Sequence, residues 1–196
     1  MDKARYLRRP VEDVLRSGKM AFVGGPRQVG KTTLALGLLG RGADERHPAY
    51  LNWDDPRARA RIRAAELPAQ QPLLVLDEVH KYARWRGLVK GIWDTEKSSR
   101  RIIVTGSARL DYYRKGGDSL VGRYRYLRLH PFSLRELDAK ASPSSLEALL
   151  RFGGFPEPLL RQDDTVHRIW QRERLTRVVQ EDLRDLEHVR EISLVE

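Results

Sequence analysis

A glycine-rich segment near the N-terminus carries the residue types that bind phosphate. It fits the pattern G-x-x-x-x-G-K-[ST] at every position and is followed by a second threonine. Its residues are Gly25, Pro26, Arg27, Gln28, Val29, Gly30, Lys31, Thr32 and Thr33. We expect Lys31 to reach the β- and γ-phosphates of a nucleoside triphosphate and the Thr32 hydroxyl to be a ligand of Mg²⁺. The sequence therefore predicts a nucleotide-binding loop, the Walker A motif.

Two adjacent carboxylates, Asp77 and Glu78, follow a short aliphatic run 46 residues after Lys31. The run Leu73–Leu76 is too short and too aliphatic for a surface helix, so it predicts a central parallel strand. We expect Asp77 to hold Mg²⁺ through water, and Glu78 to orient and polarise the attacking water. This Walker B pair favours hydrolysis over simple nucleotide binding. His80 follows two positions later and could touch the site, but we expect it to cap a turn or lie on the surface.

Further polar residues follow the next predicted strand. Thr105 and Ser107 flank a glycine there, and we expect Ser107 or Thr105 to sense the γ-phosphate, although ordinary turn chemistry also produces this tripeptide. Arg109 and Arg123 are candidates for stabilising the charge of the transition state, from the same chain or from a neighbouring subunit. Chemistry alone does not choose between them.

Apolar runs that alternate with helical patterns predict the elements that position these residues. The predicted strands are Met20–Gly24, Ala49–Trp53, Leu73–Leu76, Arg101–Thr105 and Tyr124–Leu129. Helices are predicted around Val11–Leu15 and over Thr32–Leu39, Arg57–Glu66 and Trp85–Lys97. This order indicates an α/β fold, a P-loop NTPase with a parallel sheet of about five strands and helices on both faces. From Ser133 onward the pattern is helical, broken only at residues 153–158.

The same pattern predicts the organisation of the chain. We expect an N-terminal helical lead-in over residues 1–19, a P-loop core over residues 20–132 and a helical region over residues 133–196. At 196 residues and 40% hydrophobic content, the chain can bury the core of one domain with a small appendage. It has no cysteine, which excludes a disulfide framework and a thiolate metal site. The longest purely apolar stretch has four residues and the charged N-terminus lacks the apolar segment of a signal peptide, so we expect no membrane partner and a cytoplasmic location.

The positive charge of the chain is concentrated in residues 84–128, which we call the basic segment. It holds twelve Lys/Arg and four Asp/Glu, a net of +8 out of a total of +10. A DNA-binding surface is one explanation. The other is that arginine outnumbers lysine 29 to 8 throughout the chain and that an ATPase needs cations near its phosphates. Both explanations stay open.

Several segments together resemble a family of prokaryotic AAA+ ATPases. The matching segments are Val23–Thr33, Leu76–Lys81, Val104–Ser107, Gly122-Arg123, Pro131–Glu136, Phe152–Glu157 and the acidic Gln180–Leu183. They span most of residues 20–185. The phosphate loop alone is shared by many unrelated enzymes, whereas this combination is specific.

The resemblance implies an ATP hydrolase that uses ATP and Mg²⁺ and assembles with further copies. Adenine is favoured as the base because the chain contains no Asn-Lys-x-Asp guanine-recognition motif. Family members usually continue for about another domain's length, into a region that looks like a winged-helix DNA-binding part followed by a nuclease-like part. We therefore expect this chain to be truncated, and the DNA-related activity of that region is not transferred. A nucleotide-dependent switch or DNA-binding regulator with negligible hydrolysis stays open as the alternative.

Overall fold

The computed structural model describes residues 5–107, residue 110 and residues 120–177, and helices and strands alternate over residues 8–106. The strands are β1 (Met20–Gly24), β2 (Tyr50–Asn52), β3 (Leu73–Asp77), β4 (Arg101–Gly106) and β5 (Tyr124–Arg128). The helices are α1 (Arg8–Arg16), α2 (Lys31–Leu39), α3 (Pro56–Ala64), α4 (Trp85–Glu96), α5 (Leu134–Leu137), α6 (Pro143–Phe152), α7 (Pro156–Arg161) and α8 (Asp164–Arg177). The chain divides into two compact units, Met1–His130 and Pro131–Glu196.

The first unit contains one sheet of five parallel strands in the order β2-β3-β4-β1-β5. Chain order and spatial order differ because helices cross over between the strands, as parallel pairing requires. The predicted α/β fold is confirmed. Every residue of β1 is buried, which explains why it reads as a continuous apolar run rather than an alternating one.

The register of the strands brings the predicted site residues to one edge of the sheet. Asp77 at the end of β3 lies beside Thr105 of β4, and Gly24 at the end of β1 lies beside Gly106. The phosphate loop leaves the same edge, between β1 and α2. Ligands of open α/β sheets bind at these carboxyl ends.

Aromatic and aliphatic side chains hold the sheet against its helices. The Phe22 ring of β1 stacks on Tyr124 with 4.2 Å between the ring centroids, which connects β1 to the edge strand β5. Ile62 of α3 and Val89 of α4 are fully buried in the same core. Such burial contributes about 25 cal/mol per Å² of apolar surface.

Element bounds agree with the sequence to within about two residues at most ends, which is the usual uncertainty of helix and strand ends. Two differences affect the site. The strand β3 extends to Asp77, so that this carboxylate belongs to the sheet, and an unpredicted 3₁₀ turn over Val79–Lys81 follows Glu78.

The described part of the second unit, residues 131–177, is helical, but the expectation of one break at residues 153–158 was incomplete. The chain also leaves the helix between α5 and α6. There the Asp138 carboxylate accepts hydrogen bonds from the backbone N–H groups of Lys140 and Ser142, at 2.9 and 3.1 Å. A hydrogen bond from the Ser142 hydroxyl, together with these backbone bonds, lowers the pKa of Asp138 to about 2, since all of them favour its ionised form. An acidic side chain that satisfies backbone donors in this way forms a turn instead of continuing the helix.

No helix in the described part of the chain is long and apolar enough to cross a bilayer. Arg109, a candidate for stabilising transition-state charge, lies outside the described residues, and so does the acidic segment Gln180–Leu183.

Candidate functional site

The phosphate loop folds around its own lysine. Lys31 is the first residue of α2 and is 7% exposed, and its Nζ donates to the carbonyl oxygens of Gly25 at 3.0 Å and Pro26 at 2.8 Å. Gly30 and Gln28 have positive φ values of 94° and 62°, which turn the backbone just before the N-terminus of α2. The ammonium group therefore lies within the curve of the loop, where a phosphate chain would need a positive charge.

Two contacts hold the loop against the end of β5. A Cβ atom on Gly25 would overlap the carbonyl oxygen of Leu129, so only glycine allows this close approach. The buried Arg5 guanidinium donates to the carbonyl oxygen of Val29 at 2.7 Å and also to that of His130. Arg5 thus links the loop to the residues after β5. The sequence contains no signal that separates Arg5 from the many other arginines.

The Asp77 carboxylate is the centre of the site and is 2% exposed. Its Oδ2 accepts hydrogen bonds from the Thr32 hydroxyl at 2.9 Å and from the Tyr50 hydroxyl at 2.6 Å, and its Oδ1 accepts one from the Thr105 hydroxyl. A buried carboxylate needs such donors to offset its lost hydration. All three donors are neutral, so the negative charge of Asp77 is not cancelled by an ion pair with any of them.

Tyr50 is a residue of the site that the sequence did not indicate. It lies on the edge strand β2, and its hydroxyl reaches across to the end of β3. Burial, followed by the hydrogen bond to Asp77, raises the pKa of Tyr50 far above its usual range. The hydroxyl therefore remains protonated, and a donor, at neutral pH. Its position in a predicted strand next to the acidic one was the only available signal.

The oxygen atoms at this point suit Mg²⁺. Hydroxyl and carboxylate oxygens are the ligands this cation prefers, and it usually keeps several waters and bound phosphate oxygens. Thr32 and Asp77 already touch each other, beside the N-terminus of α2. These two residues would hold the metal.

Glu78 follows in an unusual backbone conformation. Its φ is 56°, and its N–H donates to the carbonyl oxygen of Thr105 at 3.0 Å, which ties the end of β3 to β4. Its carboxylate lies 3.5 Å from Lys81 Nζ. Burial raises the pKa of Glu78 although Lys81 opposes the shift. A carboxylate of raised pKa is a stronger general base than an ordinary one.

The structure separates the two candidate sensor hydroxyls. Thr105 is fully buried and serves Asp77, whereas Ser107 is half-buried and lies 3.0 Å from Nε2 of His80. The expectation of a capping or surface role for His80 was wrong, because its residue is only 5% exposed and lies between Ser107 and Glu78. Ser107 as the sensor stays a prediction.

Arg123 is not brought to the site within this chain. It precedes β5, and its carbonyl oxygen accepts from the N–H of Met20, the first residue of β1. The phosphate loop begins at the other end of β1, about 13 Å away along the strand. The Arg123 side chain instead lies 3.4 Å from Asp94 of α4. Arg123 could therefore stabilise transition-state charge only in the site of a neighbouring subunit, and this role stays a prediction.

The described part of the basic segment contains both paired and unpaired cations. Lys90 pairs with Asp94, and Arg100 pairs with Glu96 while it donates to the carbonyl oxygen of Pro68. Exposed arginines without an ion pair to another described residue are Arg84, Arg101, Arg125 and Arg128. Fewer cations of the basic segment are therefore available to bind a polyanion than the sequence alone suggests.

Comparison with known proteins places this arrangement in a family. The family model described as "AAA domain" matches residues 17–138. The uncharacterized protein Rv2008c of Mycobacterium tuberculosis is 25% identical over 187 residues, which cover 94% of this chain and 40% of that protein. The uncharacterized protein MJ1544 of Methanocaldococcus jannaschii is 23% identical over 214 residues, 97% of this chain and 48% of that protein. The chain thus spans less than half the length of these curated relatives.

Solved structures show the same fold at low sequence identity. The Orc1 protein of Aeropyrum pernix, solved in complex with DNA, superposes with a TM-score of 0.52 at 16% identity, covering 95% of this chain and 70% of that one. The RuvB Holliday junction branch migration motor of Thermotoga maritima gives a TM-score of 0.52 at 17% identity, covering 87% of this chain and 63% of that one. At this identity the likeness concerns the fold. The chain belongs to the AAA domain family and has the α/β P-loop fold of the AAA+ ATPases.

Proposed function

We propose that this chain binds ATP with Mg²⁺ and hydrolyses it to ADP and phosphate. The observation that carries the proposal is the 2.9 Å contact between the Thr32 hydroxyl and the Asp77 carboxylate, with Glu78 next in the chain. This contact brings together the oxygen ligands of two motifs that are 45 residues apart in sequence. A carboxylate of raised pKa lies beside them.

Phosphate binding is assigned to the loop and to α2. The Lys31 ammonium now bonds two neutral carbonyl oxygens, and charged phosphate oxygens are stronger acceptors that can replace them. The N-terminus of α2 adds partial positive charge, and its first turn contains no acidic residue to oppose an anion. We take ATP as the nucleotide because the sequence lacks the guanine-recognition motif.

Hydrolysis is assigned to Glu78. Mg²⁺ bound by Thr32, and by Asp77 through water, would supply positive charge against the phosphate oxygens. The Glu78 carboxylate would accept a hydrogen bond from the attacking water, orient it and take up its proton. Thr105 and Tyr50 keep Asp77 in place while this occurs.

Nucleotide state would be coupled to the helical unit of the chain. We interpret residues 20–132 as the ATPase core, residues 1–19 as its lead-in and residues 133–196 as the helical region that responds. The division of the chain after His130 supports a separate response region. The activity, substrates and partners of the longer relatives are not assigned to this chain.

Arg123 would act on the nucleotide of a neighbouring copy. Its place at the sheet edge opposite the phosphate loop supports a contribution in trans and disfavours one within the chain. Such a site is complete only in a homo-oligomer with heterologous contacts. Hydrolysis per chain should then rise with protein concentration.

A second candidate function is a nucleotide-dependent switch that binds DNA with negligible hydrolysis. The exposed, unpaired arginines of the basic segment favour it, and a protein of the same fold has been solved with DNA. Replacing Arg101 and Arg125 by Gln should then weaken DNA binding and reduce its salt dependence. Arg100 is unsuitable for this test, since it anchors Glu96 and Pro68 in the folded chain.

The proposed function is tested by phosphate release from Mg-ATP. We expect turnover by the purified chain, loss of turnover in EDTA, and loss of both nucleotide binding and turnover in Lys31→Ala. Lys97→Ala is the matched control, because Lys97 is exposed at the end of α4. Nucleotide binding by Lys31→Ala equal to that of the unmodified chain would contradict the assignment. Binding without turnover would favour the switch.

A further inference from the structure

His80 lies between two groups that the proposed function assigns to different tasks. Its Nε2 is 3.0 Å from the Ser107 hydroxyl, the candidate sensor, and 3.8 Å from a carboxylate oxygen of Glu78, the proposed base. The side chain is 2% exposed. One ring nitrogen therefore faces both the sensor and the base.

Packing fixes the ring in this position. A Cβ atom on Gly106 would lie 2.8 Å from Cε1 of His80, so the ring occupies space that only glycine leaves open. The backbone bond from Glu78 to Thr105 ties the same two strand ends together. The positive φ of Glu78, 56°, sets the direction from which its carboxylate approaches. The juxtaposition therefore comes from the fold rather than from a mobile surface side chain.

We propose that His80 is a positioning residue that couples the Ser107 hydroxyl to Glu78. In the tautomer that carries the proton on Nε2, this single N–H can be directed to the serine oxygen or to the carboxylate, but not fully to both. When the Ser107 hydroxyl turns toward a phosphate oxygen, the N–H is left for Glu78 and holds the carboxylate in position for water. A phosphate contact made by Ser107, which follows β4, would thus fix the position of Glu78, which follows β3. This inference rests on the proposed hydrolytic function.

Lys81 does not explain the same coupling. It lies 3.5 Å from Glu78 but also pairs with Asp54, and its residue is exposed. No bond from Lys81 to Ser107 is present among the described residues. A substitution at His80 leaves the Lys81 contact in place, so its effect reports the contacts of His80 with Ser107 and Glu78.

The decisive experiment compares His80→Gln with His80→Asn. The amide nitrogen of Gln can reach the position of Nε2, whereas that of Asn reaches only the position of Nδ1, which does not face Ser107. We expect Gln to keep turnover within about threefold, and Asn and Ala to lower kcat by about ten- to a hundredfold, the effect of losing one hydrogen bond to a charged group. Nucleotide affinity should change by less than about twofold in all three, because the contact is not with the bound phosphates.

A double-mutant cycle provides the second readout. If Ser107 acts on Glu78 through His80, removing Ser107 from the His80→Ala variant should cause no further loss, so the double variant His80→Ala/Ser107→Ala should be no slower than His80→Ala. Thermal unfolding of each variant checks that the fold is kept, and the Gln and Asn pair decides the question if the Ala variant does not fold.

Three results would overturn the inference, and one of them also rejects the proposed function. Equal turnover by Gln and Asn variants that melt at the same temperature would remove His80 from the coupling. Losses that multiply in the double variant would show that His80 and Ser107 act independently. If the unmodified chain binds nucleotide but releases no phosphate, the hydrolytic function fails and the inference fails with it.

Discussion

Replacing Tyr50 by Phe removes one hydroxyl from the group that holds Asp77 and leaves the rest of the side chain. The bond is 2.6 Å long, and both residues are buried. A hydrogen bond to a charged group contributes about 1.5–3 kcal/mol, and this loss should not be regained from water at a site so little exposed. For a chain of this size the change corresponds to a melting temperature lower by about 3–12 °C.

The same substitution should raise the Mg²⁺ requirement. In Tyr50→Phe the Oδ2 atom of Asp77 keeps only Thr32 as a donor, and Thr32 is itself the proposed metal ligand. Once Thr32 binds the metal, Oδ2 has no hydroxyl left to fix it. We expect the Mg²⁺ concentration for half-maximal ATP turnover to rise by about fivefold or more, which corresponds to about 1 kcal/mol.

The assay pairs thermal unfolding in EDTA with a Mg²⁺ titration of turnover, and Tyr82→Phe is the matched control. The Tyr82 ring stacks on Trp53 with 5.0 Å between centroids, and its hydroxyl makes no hydrogen bond to another described residue. The control should change the free energy of unfolding by less than about 0.5 kcal/mol. The role given to Tyr50 is refuted if Tyr50→Phe has the same melting temperature as the unmodified chain, or if its Mg²⁺ requirement is unchanged or lower.

Three further predictions follow from other contacts. Burial raises the pKa of Glu78, so the ionised form of this carboxylate destabilises the folded state. In EDTA at pH 7, Glu78→Gln should therefore unfold at a higher urea concentration than the unmodified chain. This advantage should vanish below about pH 4, because Glu78 is then protonated in the folded and the unfolded state. Arg5→Ala should weaken nucleotide binding about tenfold in a fluorescence titration by freeing the loop, whereas the exposed Arg9→Ala should not. An equal mixture of Lys31→Ala and Arg123→Ala, each inactive alone, should recover about a quarter of the normal turnover if Arg123 acts across a heterologous interface; an inactive mixture of oligomers would contradict that role.

The sequence predicted the parts of the site that are contiguous along the chain. The phosphate loop and the acidic pair each consist of neighbouring residues whose order is dictated by their chemistry, and the alternation of apolar runs with helical patterns predicted the sheet that joins them. Pairing between parallel strands then brings Asp77 beside Thr105.

The remaining contacts depend on side chains that are distant in sequence. Tyr50 meets Asp77 across 27 residues, and Arg5 meets His130 across 125. A buried arginine and a strand tyrosine have ordinary structural uses, so neither type carries a local signal of a site. His80 was misjudged because its burial results from the missing side chain at Gly106, on another strand.

Turnover by the unmodified chain and by Glu78→Gln, with nucleotide binding recorded on the same samples, tests the central claim most directly. Gln keeps the size of the side chain and cannot accept the proton of the attacking water. The account predicts Mg-dependent phosphate release by the unmodified chain, its loss in Glu78→Gln, and equal binding of Mg-ATP by both. Undiminished phosphate release by Glu78→Gln would contradict the account, since the carboxylate next to Asp77 would then not be the base.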